Sequence, residues 1–218
     1  MAALRGCGVD NAVIELDGPE VPSLDGSSQF FVKEIQRAGL KKLSRPRRVL
    51  KILKDVCVVD GDKSASLAPA PVSSFAGEID YDHPLIGHQK FETELINGNF
   101  AHELAETRSF CLLEDVTKMR EMGLIKGGSL DNAIVLEGPK VLNPGGLRYE
   151  DEFIRHKLLD AVGDLYLAGA PILGLYRAAR PGHGLNAKAL GALLADETAW
   201  CWETLRTEDA SPERLVRS

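Results

Sequence analysis

"EDEFIRHKLLDAVGDLYLAGAPILGLYRAA", residues 150–179, is the stretch that decides the fold. Phe153, Leu158, Leu159, Val162, Leu165 and Leu167 cover more than one helical face, which predicts a long, largely buried helix. It should start near Arg148–Glu152 and run to about Ala168. "APILGLYRAA", 170–179, then predicts a strand. His156, Asp160 and Asp164 interrupt the apolar helix at four-residue intervals. Positions i and i+4 share a face, roughly 6 Å apart at Cβ. Spacing alone leaves two readings of His156 and Asp160 open: an ordinary helical ion pair, or a histidine and a carboxylate sharing a metal, both being donors that suit zinc. Asp164 adds a third polar group, and a buried carboxylate needs a partner.

Downstream, "RPGHGLN" (180–186) reads as a loop and "AKALGALLAD" (187–196) as a final helix, with a polar tail after Trp202. His183 lies between Gly182 and Gly184, where backbone and ligand can approach closely. A histidine there can serve a substrate as general acid or base, or simply sit on a surface loop. Upstream, residues 1–7 look like the end of a helix and "NAVIELDG" (11–18) like a strand. Ser27 or Ser28 can cap a helix running to Ala38, with Gly39 in the left-handed position that often follows. "VLKILKDVCVVDGDKSASLAP" (49–69) predicts two strands around Asp60-Gly61, and "SSFAGEIDYDHP" (73–84) another strand, halted by Pro84. "NFAHELAETRSF" (99–110) should begin helical. "LEDVTKMREMG" (113–123) predicts a short amphipathic helix with Val116, Met119 and Met122 inward, and "SLDNAIVLEG" (129–138) a strand. "VDNAVIELDGPEV" (9–21) and "LDNAIVLEGPKV" (130–141) resemble each other as strand-plus-turn patterns. Hairpins and helices without regular alternation make the fold class α+β.

Composition narrows the function. A net charge of −6 over 218 residues offers no basic surplus for nucleic acid, and "KKLSRPRR" (41–48) is short enough to be a solvated loop. Cys7, Cys57, Cys111 and Cys201 form no C-x-x-C pair and read as reduced, mostly buried thiols. No apolar run approaches the roughly 20 residues of a transmembrane span, and residues 1–11 hold no signal-peptide core, so a cytoplasmic location is expected. "IKGGSLDN" (125–132) lacks Walker spacing and is a turn, and no G-x-S-x-G elbow surrounds Ser109. His83 reads as structural, His88 and His102 as solvated.

"TRSF" (107–110), "GLIKGGSLDNAIV" (123–135), "LRYEDEFIRHKLLDAVGDLYLAGAPILG" (147–174) and "GHGLNAKAL" (182–190), with "GVDNAVIELDGPEVPSLDGSS" (8–28) and "VVDGDK" (58–63), resemble the UDP-3-O-acyl-N-acetylglucosamine deacetylases of lipid A synthesis. The resemblance covers nearly the whole chain up to about Trp202. It implies a zinc hydrolase that removes acetate from the 2-amino group of a UDP-linked, acylated glucosamine. It also implies two similar layered sheet-and-helix domains. These would fall at 1–98, incomplete, and 99–203, the latter with a βαβ insert at about 111–142 forming an acyl passage, followed by a polar tail at 204–218.

By the same resemblance His156 and Asp160 are zinc ligands, His183 the catalytic histidine and Asp164 the carboxylate that orients it and keeps it cationic. Lys157 contacts the substrate's phosphates, Phe110 packs on the sugar, and Ser109, where the family pattern has threonine, retains an oxyanion-binding hydroxyl. Arg180 stands where the pattern has lysine and keeps positive charge for the diphosphate. The pattern also has a Glu-His pair, supplying the general base and third zinc ligand, just ahead of the helix that here begins "MAALRG". No such pair occurs in this sequence, so an N-terminally truncated form of the deacetylase is expected.

Overall fold

The computed structural model describes residues 1–96, 98–116 and 127–205. Its architecture is α+β. Helix α1 (Ala2–Gly6) and helix α2 (Gln29–Ala38) precede strands β1 (Arg48–Ile52), β2 (Val56–Asp60), β3 (Lys63–Ala68), β4 (Ser74–Asp80) and β5 (His88–Glu94). A π-helical turn at Phe100–Leu104 leads to β6 (Phe110–Leu112), β7 (Ile134–Glu137) and β8 (Lys140–Val141). Then come α3 (Glu152–Leu165), a 3-10 turn (Tyr166–Ala168), β9 (Ile172–Leu173), β10 (Leu175–Ala179), α4 (His183–Ala195) and β11 (Trp200–Thr204).

Among the described residues the strands form three sheets: a five-stranded one ordered β2-β3-β10-β4-β5, and three-stranded ones ordered β11-β1-β9 and β6-β7-β8. β10 is the middle strand of the largest, antiparallel to β3 and parallel to β4, so that sheet joins residues from either side of position 98. Helix α3 packs on β4 and β5, α4 packs on β2 and β3, and the two helices touch each other. Phe153, Ile154, Leu158 and Val162 of α3 are fully buried, each contributing roughly 1.5–3 kcal/mol. This burial fixes which face of α3 is left for chemistry.

The expected long helix and the Asp60-Gly61 turn hold, the latter joining β2 to β3. Other expectations are corrected. Residues 11–18 form no strand: residues 10–24 are all exposed, Val13 to 90%. No described strand lies beside them, and a lone strand leaves its backbone groups unpaired. "APILGLYRAA" is two strands, because Gly174 lets the chain cross from β1's sheet to β4's; a Cβ there would sit 2.7 Å from the Ala68 carbonyl oxygen. The first strand of 49–69 is likewise broken between β1 and β2. Ser28 precedes α2, but its hydroxyl donates to the Ala105 carbonyl, and Ser27 Oγ accepts the Gln29 N–H. Gly39 has φ 75 and ψ 170, positive but not left-handed helical. None of the four cysteines is buried, and Cys57 is exposed. β5 and β11 are further strands that the sequence patterns did not predict.

The second half of the 113–123 helix, with Met119 and Met122, and residues 206–218 lie outside the described residues. Residues 113–116 are helical, and β6 and β7 on either side of the 113–133 interval pair in parallel. Among the described residues no helix is long and apolar enough to cross a membrane.

Candidate functional site

Helix α3 carries a polar residue at every fourth position: Glu152, His156, Asp160 and Asp164. Four residues overshoot a 3.6-residue turn by about 40°, so this row winds slowly around the helix. Glu152, at one end, is fully buried. Asp160 and Asp164, further along, line a large cavity with His156, His183, Ser109 and Phe110. Its volume is about 1840 Å³, and its walls include Phe31, Ile35, Leu113, Val116 and Val135.

His156 is set by a backbone contact. Its Nδ1 lies 3.0 Å from the Thr107 carbonyl oxygen. A carbonyl only accepts, so Nδ1 carries a proton, and in the neutral ring that tautomer leaves the lone pair on Nε2. Nε2 faces Asp160 Oδ1 at 3.5 Å. The turn presenting Thr107 is held by Glu152: its Oε1 accepts from Arg108 N and Nε at 3.0 and 2.9 Å, and its Oε2 from Arg108 Nη2 and Arg148 N at 3.1 and 2.6 Å. Ser109 is pinned on both sides, its N–H donating to Gly26 O (3.0 Å) and its carbonyl accepting from Ile134 N (2.7 Å).

His183 is the first residue of α4, not a loop residue; the helix starts four residues earlier than its apolar pattern suggests because Gly182, in an extended conformation, acts as N-cap. Its Nδ1 lies 2.8 Å from Asp164 Oδ2, and its Nε2 3.9 Å from Asp160 Oδ2. Partial burial disfavours the charged ring. The hydrogen bond to Asp164 and the charges of Asp160 and Asp164 outweigh that, Lys157 opposing them, and the pKa rises above the ordinary histidine value.

Of the other expected site residues, Lys157 and Arg180 sit apart from this group. Lys157 Nζ lies 5.5 Å from the Phe110 ring centroid, and Phe110 is flanked edge-on by Phe153 (4.9 Å) and Tyr81 (6.1 Å). Neither Lys157 nor Arg180 lines the cavity. Arg180 has a left-handed backbone, φ 54, and its guanidinium pairs with Asp62 and Asp80. His88 and His102 are exposed, as expected.

The donor chemistry of His156 Nε2 and Asp160 fits a zinc-type ion, with the second ring nitrogen bonded to a carbonyl as metal-bound histidines require. Among the described residues no group of three or more His, Cys, Asp or Glu is placed to hold a metal.

The family model described as UDP-3-O-acyl N-acetylglycosamine deacetylase matches residues 1–195. The chain belongs to this deacetylase family. The UDP-3-O-acyl-N-acetylglucosamine deacetylase of Myxococcus xanthus is 48% identical over 203 residues, 93% of this chain and 64% of that protein. Those of Phenylobacterium zucineum and Vibrio parahaemolyticus are 48% and 44% identical, across 92% and 97% of this chain and 68% and 70% of their own lengths. The chain thus spans about two thirds of the relatives it matches.

Four contributors carry no motif of their own: Glu152, the Thr107 carbonyl, Asn186, whose Nδ2 donates to Asp164 Oδ2, and Tyr176, whose hydroxyl donates to Asn186 Oδ1. Glu152 continues the four-residue spacing of His156, Asp160 and Asp164, so the pattern contained it. Asn186 lies three residues after His183, on the same helical face once α4 is known to begin at His183. No sequence signal marks the carbonyl or the phenol.

Proposed function

We propose that the chain carries most of the machinery for its family's chemistry, zinc-dependent hydrolysis of the N-acetyl group of UDP-3-O-(3-hydroxyacyl)-N-acetylglucosamine in lipid A synthesis, in the cytoplasm; the Glu-His pair expected to give the third zinc ligand and the base that takes the attacking water's proton does not occur in this sequence. The observation that carries this reading is the His183–Asp164 pair turned toward the His156–Asp160 pair inside one largely apolar cavity. His156 Nε2 and the Asp160 carboxylate would hold the zinc ion. When bound, zinc lowers the pKa of a coordinated water to about 7 and polarises the acetyl carbonyl.

The protein's own groups have separate tasks. His183, cationic through Asp164, gives the Nε2 proton to the departing amine. The Ser109 hydroxyl donates to the oxyanion and Phe110 packs on the sugar. Lys157 takes the phosphates. Arg180 joins it by exchanging Asp62 and Asp80 for the diphosphate. Leu113, Val116, Val135 and Leu142 of the cavity wall, within the insert expected at about 111–142, receive the acyl chain, and the division at 98/99 belongs to the same reading.

Acetate release from the UDP-linked substrate by the full chain, with and without a zinc chelator, tests this. Release should require zinc and fall sharply in H183Q. A second reading, a non-catalytic binder of the UDP-acyl-sugar, is favoured by the lack of a third metal donor among the described residues, since catalytic zinc ordinarily takes three protein ligands. Substrate binding with no release in any metal condition selects it.

A further inference from the structure

Behind the Asp164–His183 pair runs a buried polar chain that none of the roles above uses. Asp164 Oδ2 accepts two hydrogen bonds, from His183 Nδ1 and from Asn186 Nδ2, each 2.8 Å long. Asn186 is fully buried, and its Oδ1 accepts the hydroxyl of Tyr176 at 2.5 Å. Tyr176 is itself only 1% exposed and stands on β10, the middle strand of the five-stranded sheet.

The directions in this chain are fixed by its far end. Burial, the larger cause, and the nearby Asp164 charge push the Tyr176 phenol pKa far up, so it stays protonated. A protonated phenol donating to Oδ1 selects one of the two amide orientations of Asn186. In that orientation the NH2 group faces Asp164. The flipped amide would set an oxygen against the carboxylate and strand the phenol, both costly in a buried site. With one carboxylate oxygen held by Asn186, His183 meets an acceptor whose position is set by the sheet, not by the rotamers of a 24% exposed aspartate.

We propose that Asn186 and Tyr176 are positioning residues that lock the Asp164 carboxylate and, through it, aim the His183 ring so that Nε2 faces the metal-ligand pair. This rests on the reading of His183 as the catalytic acid. Asn186 and Tyr176 touch no substrate in it; they act through Asp164.

Imidazole 15N NMR of the full chain provides a readout independent of turnover. The parent should show a His183 Nδ1 proton whose exchange with solvent is slowed by its hydrogen bond to Asp164. Y176F, which removes one oxygen from a buried ring, should keep the fold yet speed exchange of that proton about fivefold to tenfold, the worth of one buried hydrogen bond. N186A should do so more strongly. The signals of His83, His88 and His102 should stay fixed, marking the effect as local. If folded Y176F leaves the His183 signal and its exchange rate unchanged, the positioning proposal is overturned, whatever the acetate assay shows. If H183Q releases acetate as the parent does, the catalytic reading of His183 fails instead, whatever the spectra show.

Discussion

The Nδ1 atom of His156 lies 3.0 Å from the carbonyl oxygen of Thr107, and this contact orients the imidazole ring. It fixes the tautomer and leaves the Nε2 lone pair facing Asp160. Replacing His156 with Gln or Asp160 with Asn should each weaken zinc binding at least about tenfold, since even the groups that merely orient ligands are worth that much. Competition with a chromophoric chelator measures this. Equal zinc affinity in parent and both variants would show that the pair is an ordinary helical ion pair.

Asp164 should set the charge of His183. D164N replaces a charged hydrogen-bond acceptor with a neutral one and removes one of the two nearby negative charges, so the His183 pKa should fall toward or below the ordinary value of about 6.5. The sign of the linkage follows. A histidine whose pKa is raised on folding stabilises the fold fully below about pH 6.5, and that contribution is lost as pH climbs through the raised value. The gap between parent and D164N in urea midpoint should therefore narrow on the alkaline side. It should be small throughout, because the His183 side chain is 73% exposed. Imidazole shifts followed from pH 5 to 9 check the direction.

Glu152 and Arg108 form a buried clamp, with the Glu152 side chain 0% and the Arg108 side chain 11% exposed. E152A strands the guanidinium and two backbone donors, and should cost about 3–5 kcal/mol. Urea denaturation reads it. A loss under about 1 kcal/mol would mean that water replaces the carboxylate readily and that the 107–109 turn is held by something else.

Gly26 has φ +79, and a Cβ on it would lie 2.1 Å from the Asn132 carbonyl oxygen. Its own carbonyl receives the Ser109 N–H. G26A must push two backbones apart and strain a third, so about 1–3 kcal/mol of stability should go. Proton NMR should show the Ser109 amide shifting with it. A G26A protein with parental stability would contradict this close approach.

Much of the site was written in residue spacing. His156, Asp160 and Asp164 stand on one helix because the apolar residues around them force that helix to be buried, and they recur along it at four-residue intervals. Family motifs then marked His183, Ser109 and Phe110. Spacing carried no information on Arg180, whose acidic partners are Asp62, in the turn between β2 and β3, and Asp80, at the end of β4, both distant in sequence. Nor could it show that His183 opens a helix.

The two related stretches separate what each level decides. "DNAIVLEGPK" folds into β7 and β8 because β6 lies alongside and supplies the hydrogen bonds. "DNAVIELDGPE" has nearly the same residues and no described neighbour strand, and it stays exposed. Local pattern by itself determined that both could be strands, that α3 would be a buried helix, and which residues on it could bind a metal. Only the tertiary structure decided which strand formed, that a Thr107 carbonyl would choose the His156 tautomer, and that Tyr176 would stand behind Asp164. Backbone acceptors look alike in every sequence, and pairing depends on what the rest of the chain brings within 3 Å or so of them.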